Sequence, residues 1–384
     1  MKILFALTYY RPHVSGLTIY AQRLAEAVAA RGHQVTVLTS HYAPELPREE
    51  VMNGVRVVRV PVLMKVSKGV IMPTFSWYAL RLIRQHEVVS IHLPQFEAGL
   101  LAFVCRCIVR RPCYVTYHCD LQLPPSAFTR LVEAVVQVGN YVAGVLADGV
   151  VTNTLDYAVH SPYLSRFRNK LTAIYPPIVI SPVDPAARRA FRHRLGLDHQ
   201  QVIGFAGRVA AEKGVEYLLG ALPYVLAEMP SAHVLFRGEH RNVIGENAYF
   251  AKLQPLIERN RSHLTFLGVL AAQEMSAFFA SCDVLVLSSI NSTESFGLVQ
   301  VESMLCGTPV VAVDLPGVRE PVRLTGMGEL VPARDERAIA DAVLRVIRNR
   351  ASYVKPREAI ATLFDLQQTV SKYEQLFTGS RGNR

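Results

Sequence analysis

The chain has 384 residues, half of them hydrophobic and 19% charged, which excludes global disorder and leaves material for a sizeable core. Two domains are the natural expectation at this length. The net charge of +10 is lopsided, because residues 1–180 hold 18 Lys and Arg against 10 Asp and Glu, leaving 23 against 21 for the remainder.

The apolar run Lys2–Leu7 predicts a first strand; it is too short for a secretion signal, and no cleavage site follows it. Arg11–Leu17 is a loop with Pro12 and Gly16. Thr18–Ala30 is a helix with Tyr20, Leu24, Ala27 and Val28 on one face, and Gln34–Leu38 is a second strand. That order is a βαβ unit of a parallel sheet. Its loop has one glycine and no G-x-G-x-x-G, so it is not a dinucleotide fingerprint. The backbone at Gly16 still allows close approach of a phosphate or sugar, although a plain βα turn also fits.

Asn53-Gly54 is a turn before a strand over Val55–Val62. Met64–Pro73, with Lys65 and Lys68, reads as a surface connection or a mobile loop facing a membrane or an acceptor. Helix 75–85, strand 88–92 and helix 96–109 follow, and Arg106, Arg110 and Arg111 cluster at the end of the last. Strand Cys113–Tyr117 ends in His118. A histidine there faces the ligand crevice of an α/β domain; the alternative is a histidine satisfied in the core. Strand 149–152 and helix 155–164 complete the first half. The proline-rich stretch 174–185 is expected to connect two domains.

The six cysteines do not complete a metal site. Cys105 and Cys107 have no second pair, so free thiols in a reducing compartment are expected. No stretch of 18 apolar residues predicts a membrane span, and a cytoplasmic location is expected.

The second half restarts the alternation. After a short basic helix over 191–195 and a strand over 202–206 comes Gly207-Arg208-Val209-Ala210-Ala211-Glu212-Lys213-Gly214. A guanidinium and an ammonium on one glycine-bounded loop suit a diphosphate, although a solvated cation pair also fits. Helix 215–228, strand 233–236 ending at Gly238, strand 264–267 followed by Gly268, helix 273–280 and strand 284–288 lead into a polar loop. That loop carries Glu294, then Ser295-Phe296-Gly297. From Leu298, the apolar positions Leu298, Val301 and Leu305 predict a helix buried on one face, with Glu302 a turn inside it. A helix start near Gly297 has free N–H groups and a partial positive charge that suit a phosphate. Two carboxylates bracketing a phosphate site make sense as hydrogen-bond acceptors for hydroxyls. Read alone, the spacing also fits ordinary helix-start glutamates. Strand 310–313, a turn over 314–320, and helices 336–349 and 356–377 complete the chain, with a disordered tail expected from Thr378.

The sequence ESFGLVQVE followed by CGTPVV, together with the Arg208/Lys213 loop, resembles the E-x7-E retaining glycosyltransferases of family 4. The resemblance spans nearly the whole chain and is strongest from Gly207 to Glu320. It implies the α/β GT-B fold, two Rossmann-like parallel-sheet domains facing across a cleft. Residues 1–178 would bind the acceptor and 187–355 the nucleotide-sugar, with 356–384 returning to the first domain as a helix and tail. It implies catalytic roles for His118, Arg208, Lys213 and Glu294. Donor contacts would come from Gly16, Gly238, Gly268, Ser295, Phe296, Gly297, Leu298 and Glu302, with Glu294 on the sugar and Glu302 on the ribose. The chain departs from the family at Ser15-Gly16, where many members have a glycine pair. It also has YPPIVI in the linker and one glycine in DLPGVRE, where relatives often have two.

The expected function is therefore transfer of a sugar, with retention, from a UDP- or GDP-sugar to a saccharide or lipid-linked acceptor. No D-x-D occurs, so no metal and no cofactor are expected, and the diphosphate is neutralised by Arg208, Lys213 and the helix at Gly297. An epimerase or a phosphorylase on the same fold is the alternative enzyme. A non-enzymatic anion-binding protein is the other class. No aromatic-rich basic strand or recognition helix supports nucleic acid as a partner. The basic first half, with Arg106, Arg110, Arg111, Lys65 and Lys68, fits two accounts equally: an anionic membrane surface as a partner, or a merely solvated face.

Overall fold

The computed structural model describes residues 1–66, 69–122, 127–241, 243 and 245–379. Lys68 and most of the expected tail lie outside the described residues. The chain forms two compact units, one of Met1–Pro177 with Asp365–Arg384 and one of Ile178–Phe364.

The first unit runs β1 (Lys2–Ala6), α1 (Gly16–Ala30), β2 (Gln34–His41), β3 (Glu49–Met52), β4 (Val55–Pro61), β5 (Met64–Val66), β6 (Gly69–Ile71), α2 (Phe75–Gln85) and β7 (Val88–Leu93). It continues with α3 (Ala98–Phe103), β8 (Cys113–Tyr117), α4 (Ala127–Leu146), β9 (Gly149–Thr152), α5 (Leu155–His160) and β10 (Leu171–Ala173). Eight strands form a sheet in the order β10-β9-β8-β7-β1-β2-β4-β3. Only the edge pair β3–β4 is antiparallel. Every residue of β7 is buried, as expected for a parallel strand covered on both faces. One face packs on α2, α3 and α4 through Ala79, Leu82, Leu101, Ala102 and Ala143. The other packs on Tyr20 and Leu24 of α1 and on Val370, Tyr373 and Phe377 near the C-terminus.

The second unit contains α6 (Pro185–Arg194), β11 (Gln201–Ala206), α7 (Val215–Glu228), β12 (Ala232–Arg237), α8 (Asn247–Arg259), β13 (Leu264–Gly268), α9 (Met275–Ser281) and β14 (Val284–Leu287). It then has α10 (Leu298–Leu305), β15 (Val310–Val313), α11 (Glu320–Thr325), β16 (Gly328–Val331), α12 (Glu336–Arg348), α13 (Arg350–Tyr353) and α14 (Arg357–Leu363). Its six strands are ordered β13-β12-β11-β14-β15-β16, all parallel.

Several elements differ from the sequence reading. Helix α1 begins at Gly16 because the Ser15 hydroxyl accepts from the Thr18 N–H at 3.2 Å and caps it. The helix expected over 96–109 is α-helical only to Phe103. It loosens into a π turn over Val104–Val109 and is stopped by Arg110 at a φ of 59°. The basic helix starts at Pro185, six residues early, where the Asp184 carboxylate caps it by accepting from the Ala186 N–H at 2.8 Å. Within the stretch expected as a loop, β5 and β6 pair antiparallel. Helix α4 has no counterpart among the expected elements. The single helix expected over 356–377 is broken at Phe364 (φ −120°, ψ 44°). Its first part, α14, stays in the second unit, where Phe364 meets Phe296 edge-on at 5.9 Å. The second part, α15 (Leu366–Gly379), completes the first unit. There the Tyr373 hydroxyl lies 2.7 Å from that of Tyr20, and Glu374 pairs with Arg31 at 2.5 Å and with His33 at 2.9 Å.

Candidate active site

In the second unit the loop after β11 and the loop after β14 meet. Ser288 donates its hydroxyl to the Lys213 carbonyl at 2.9 Å, and Ile290 N–H donates to the Glu212 carbonyl at 3.0 Å. Gly214 sits between them at a φ of +58°. A Cβ there would lie 2.3 Å from the Ser288 carbonyl oxygen, so glycine is required by both conformation and space.

This junction brings Lys213 and Glu294 together. The Lys213 Nζ lies 2.5 Å from Glu294 Oε2. The other carboxylate oxygen accepts from the Gly297 N–H at 3.0 Å, and Ser289 donates to the same group at 3.5 Å. Glu294 thus both pairs with the loop cation and caps the turn before α10. Gly297 is left-handed (φ 76°), and α10 has no side-chain cap, so its first N–H groups stay oriented as a helix start. Arg208 pairs with Glu212 at 3.4 Å on the same loop.

Gly238, expected at the donor, has a steric reason of its own. At a φ of +130° its Cβ would lie 2.1 Å from the Gly207 carbonyl oxygen. Its N–H donates to the Gly268 carbonyl at 2.8 Å, so the ends of β11, β12 and β13 are drawn together beside Arg208. Ser295, Phe296 and Glu302 are buried, and the Phe296 ring belongs to the core. The sequence reading missed Ser288, Ser289 and Glu246; the last is buried and accepts from the Ala211 N–H at 3.0 Å. These contacts span from five to 75 residues, and no local pattern announces them.

His118 and Gly16 lie in the first unit. His118 follows β8 and is buried, with its Nε2 at 2.9 Å from Nδ1 of His92, the penultimate residue of β7. The rings are nearly parallel, 5.2 Å apart. The Tyr20 ring of α1 stands edge-on to His118 at 4.7 Å, which ties His118 to the helix that Gly16 opens. Gly16 faces open space, and a Cβ added there would meet no atom within 4 Å. After β7, Gln95 and Glu97 are buried next to each other, and the Gln95 side chain and the Glu97 backbone N–H act on the Glu97 carboxyl. Burial raises the Glu97 carboxyl to about 7.

Burial lowers His92 to about 3, and burial together with His92 lowers His118 well below the ordinary value. Both rings are therefore neutral at pH 7, and one donates to the other. A histidine held below its unfolded value binds fewer protons when folded. Its stabilising contribution is intact above about pH 6.5 and is lost as the pH falls below that, by up to about 1.4 kcal/mol per pH unit per group. Glu97 acts in the opposite sense. The comparison is therefore wild type against His92→Asn, by denaturant unfolding at about pH 7 and about pH 5. Wild type is expected to lose more stability than the variant; equal losses would dismiss the pair as the cause.

The family model described as glycosyl transferases group 1 matches residues 200–349, and the glycosyl transferase 4-like domain matches residues 15–177. The chain is 27% identical to an uncharacterized glycosyltransferase of Methanocaldococcus jannaschii, over 90% of this chain and 89% of that protein. It is 26% identical to the phosphatidyl-myo-inositol mannosyltransferase of Mycobacterium leprae, over 94% of this chain and 92% of that protein. Among solved structures, Anabaena HepE in complex with UDP and glucose superposes with a TM-score of 0.78 at 20% identity, covering 98% of this chain and 99% of that one. With both units matched by glycosyltransferase models and full-length relatives of the same kind, the chain belongs to the group 1, family-4-type glycosyltransferases and has their GT-B fold.

Proposed function

We propose that the chain transfers a hexosyl or N-acetylhexosaminyl group from a nucleotide-sugar with retention of configuration, and that it does so without a metal. The observation that carries this reading is the Lys213–Glu294 junction beside the start of α10. It gathers an ammonium, a neighbouring guanidinium and helix N–H groups where a diphosphate would need them. Charge that develops on the leaving diphosphate is met by groups already held in position, which is usually the largest contribution to rate. Arg208 and Lys213 supply the neutralisation that a metal supplies elsewhere.

In this reading Glu294 contacts the donor sugar and Glu302 the ribose. His118 serves the sugar, and the buried Gln95 and Glu97 suit acceptor hydroxyls. HepE holds UDP and glucose, and the mycobacterial relative is a phosphatidyl-myo-inositol mannosyltransferase. The acceptor class proposed here is a saccharide or a lipid-linked polyol.

The test separates the two carboxylates. Glu302→Gln is expected to weaken both a free nucleoside diphosphate and its sugar conjugate, by about ten- to a hundredfold for a lost bond to a charged group. Glu294→Gln is expected to weaken mainly the conjugate and turnover. Calorimetric titration with UDP, GDP and their hexose conjugates reads this directly. Equal loss of free nucleotide in both variants would overturn the assignment, and inverted product by NMR would overturn retention.

A further inference from the structure

Helix α4 has twenty residues and only two charged ones, Arg130 and Glu133. One face is inward, with Val136, Asn140, Ala143 and Gly144 buried. The opposite face is also apolar and is open. Phe128, Leu131, Val135, Val138 and Val145 recur at spacings of three, four and seven and are all exposed, Leu131 and Val138 at 64% each. A helix of a soluble domain normally turns polar residues outward, so two apolar faces require a second environment.

Helix α3 extends the surface. It packs directly on α4, backbone to backbone: a Cβ on Gly99 would lie 2.8 Å from the Gly139 carbonyl oxygen. Its Leu100 and Phe103 are exposed at 45% and 47%. The charges around these helices are sorted. Most carboxylates here are tied down: Glu97 is buried, Asp120 accepts from the Tyr117 and Ser161 hydroxyls, and Asp148 accepts from the Cys113 N–H and pairs with Arg106, while Glu133 stays half-buried on the flank of α4 beside Gln137. The cations stay outside, with Arg110, Arg111 and Arg130 all exposed.

We propose that the outer face of α3 and α4 seats the protein on an anionic lipid bilayer. The apolar side chains enter the headgroup boundary, and the arginines at the margin meet lipid phosphates. Among the described residues, no helix is long and apolar enough to cross a membrane, and this mode needs none. Charge favours a bilayer over a second copy of the chain. Two copies joined by this face would bring their arginines together, whereas anionic headgroups neutralise them. The proposal does not depend on the donor-site reading, because partition onto vesicles is measured without donor or acceptor.

The experiment is co-sedimentation of the full chain with vesicles of phosphatidylcholine, with and without phosphatidylglycerol. Wild type is expected to bind the anionic vesicles and to be released by high salt. Val135→Glu with Val138→Glu is expected to lower the partition coefficient by at least about tenfold. The milder Val135→Ser with Val138→Ser should lower it less, and Arg110→Glu with Arg111→Glu should remove the preference for anionic lipid. Thermal unfolding of each variant confirms that it is folded. Three outcomes overturn the proposal: no binding to anionic vesicles at low salt, binding unaffected by all three pairs of changes, or a wild-type dimer in light scattering that Val138→Glu dissociates.

Discussion

Replacing Lys213 with alanine is expected to lower affinity for a nucleoside diphosphate by about ten- to a hundredfold, the loss of one charge-assisted contact of about 1.5–3 kcal/mol. The effect on turnover should be larger, about a hundred- to a thousandfold, because charge on the diphosphate grows as the glycosidic bond breaks. The fold should survive. Lys213 is partly exposed, and Glu294, which loses its cation, keeps the Gly297 N–H at 3.0 Å. Lys213→Arg should recover only part of the loss, since a planar fork does not replace a point charge in the same space. A double-mutant cycle with Glu294→Gln measures the coupling across the 2.5 Å pair, and residues in such contact are expected to be non-additive. Wild-type nucleotide affinity in folded Lys213→Ala would remove this lysine from the donor site.

Gly238→Ala is expected to destabilise the second unit strongly. The added Cβ would lie 2.1 Å from the Gly207 carbonyl oxygen, and the backbone sits at a φ of +130°. That conformation alone costs about 1–3 kcal/mol outside glycine, and the neighbour in the way is backbone that cannot swing aside. A melting temperature several degrees lower should accompany weaker nucleotide binding, because the strain falls on the residue before Arg208. Gly268→Ala is the control. Its φ is +70°, but nothing lies within 4 Å of its Cβ, so only the left-handed cost of about 1–2 kcal/mol should appear. Equal destabilisation by the two changes would show that conformation, and not the Gly207 contact, governs this loop.

Much of the second unit is legible in the sequence because its signals are local. Helix α7 follows the expected bounds, as does the start of α10, where an apolar 3–4 spacing follows a glycine turn. The placing of Arg208 and Lys213 on one loop, and of Glu294 and Glu302 on either side of a helix start, is likewise a matter of spacing. Helix α4 leaves no such trace. Val136 and Ala143 are buried while the equally apolar Leu131, Val135 and Val138 are exposed, so hydrophobicity does not mark which side of the helix meets the core. The break at Phe364 is also hidden, because α14 and α15 are each amphipathic and nothing in the composition says that they face different cores.

The sequence by itself determined the parallel α/β class and the placing of Arg208 and Lys213 on one loop and of Glu294 and Glu302 about a helix start, because each depends on neighbours within about ten positions. Only the tertiary structure decided that Lys213 meets Glu294 and that Gly238 stands against Gly207. It alone set His92 beside His118 and gave α15 to the first unit. Those contacts join residues from 26 to 353 positions apart. They are fixed by strand order and by which side chains share a buried space, and neither is written in any local pattern.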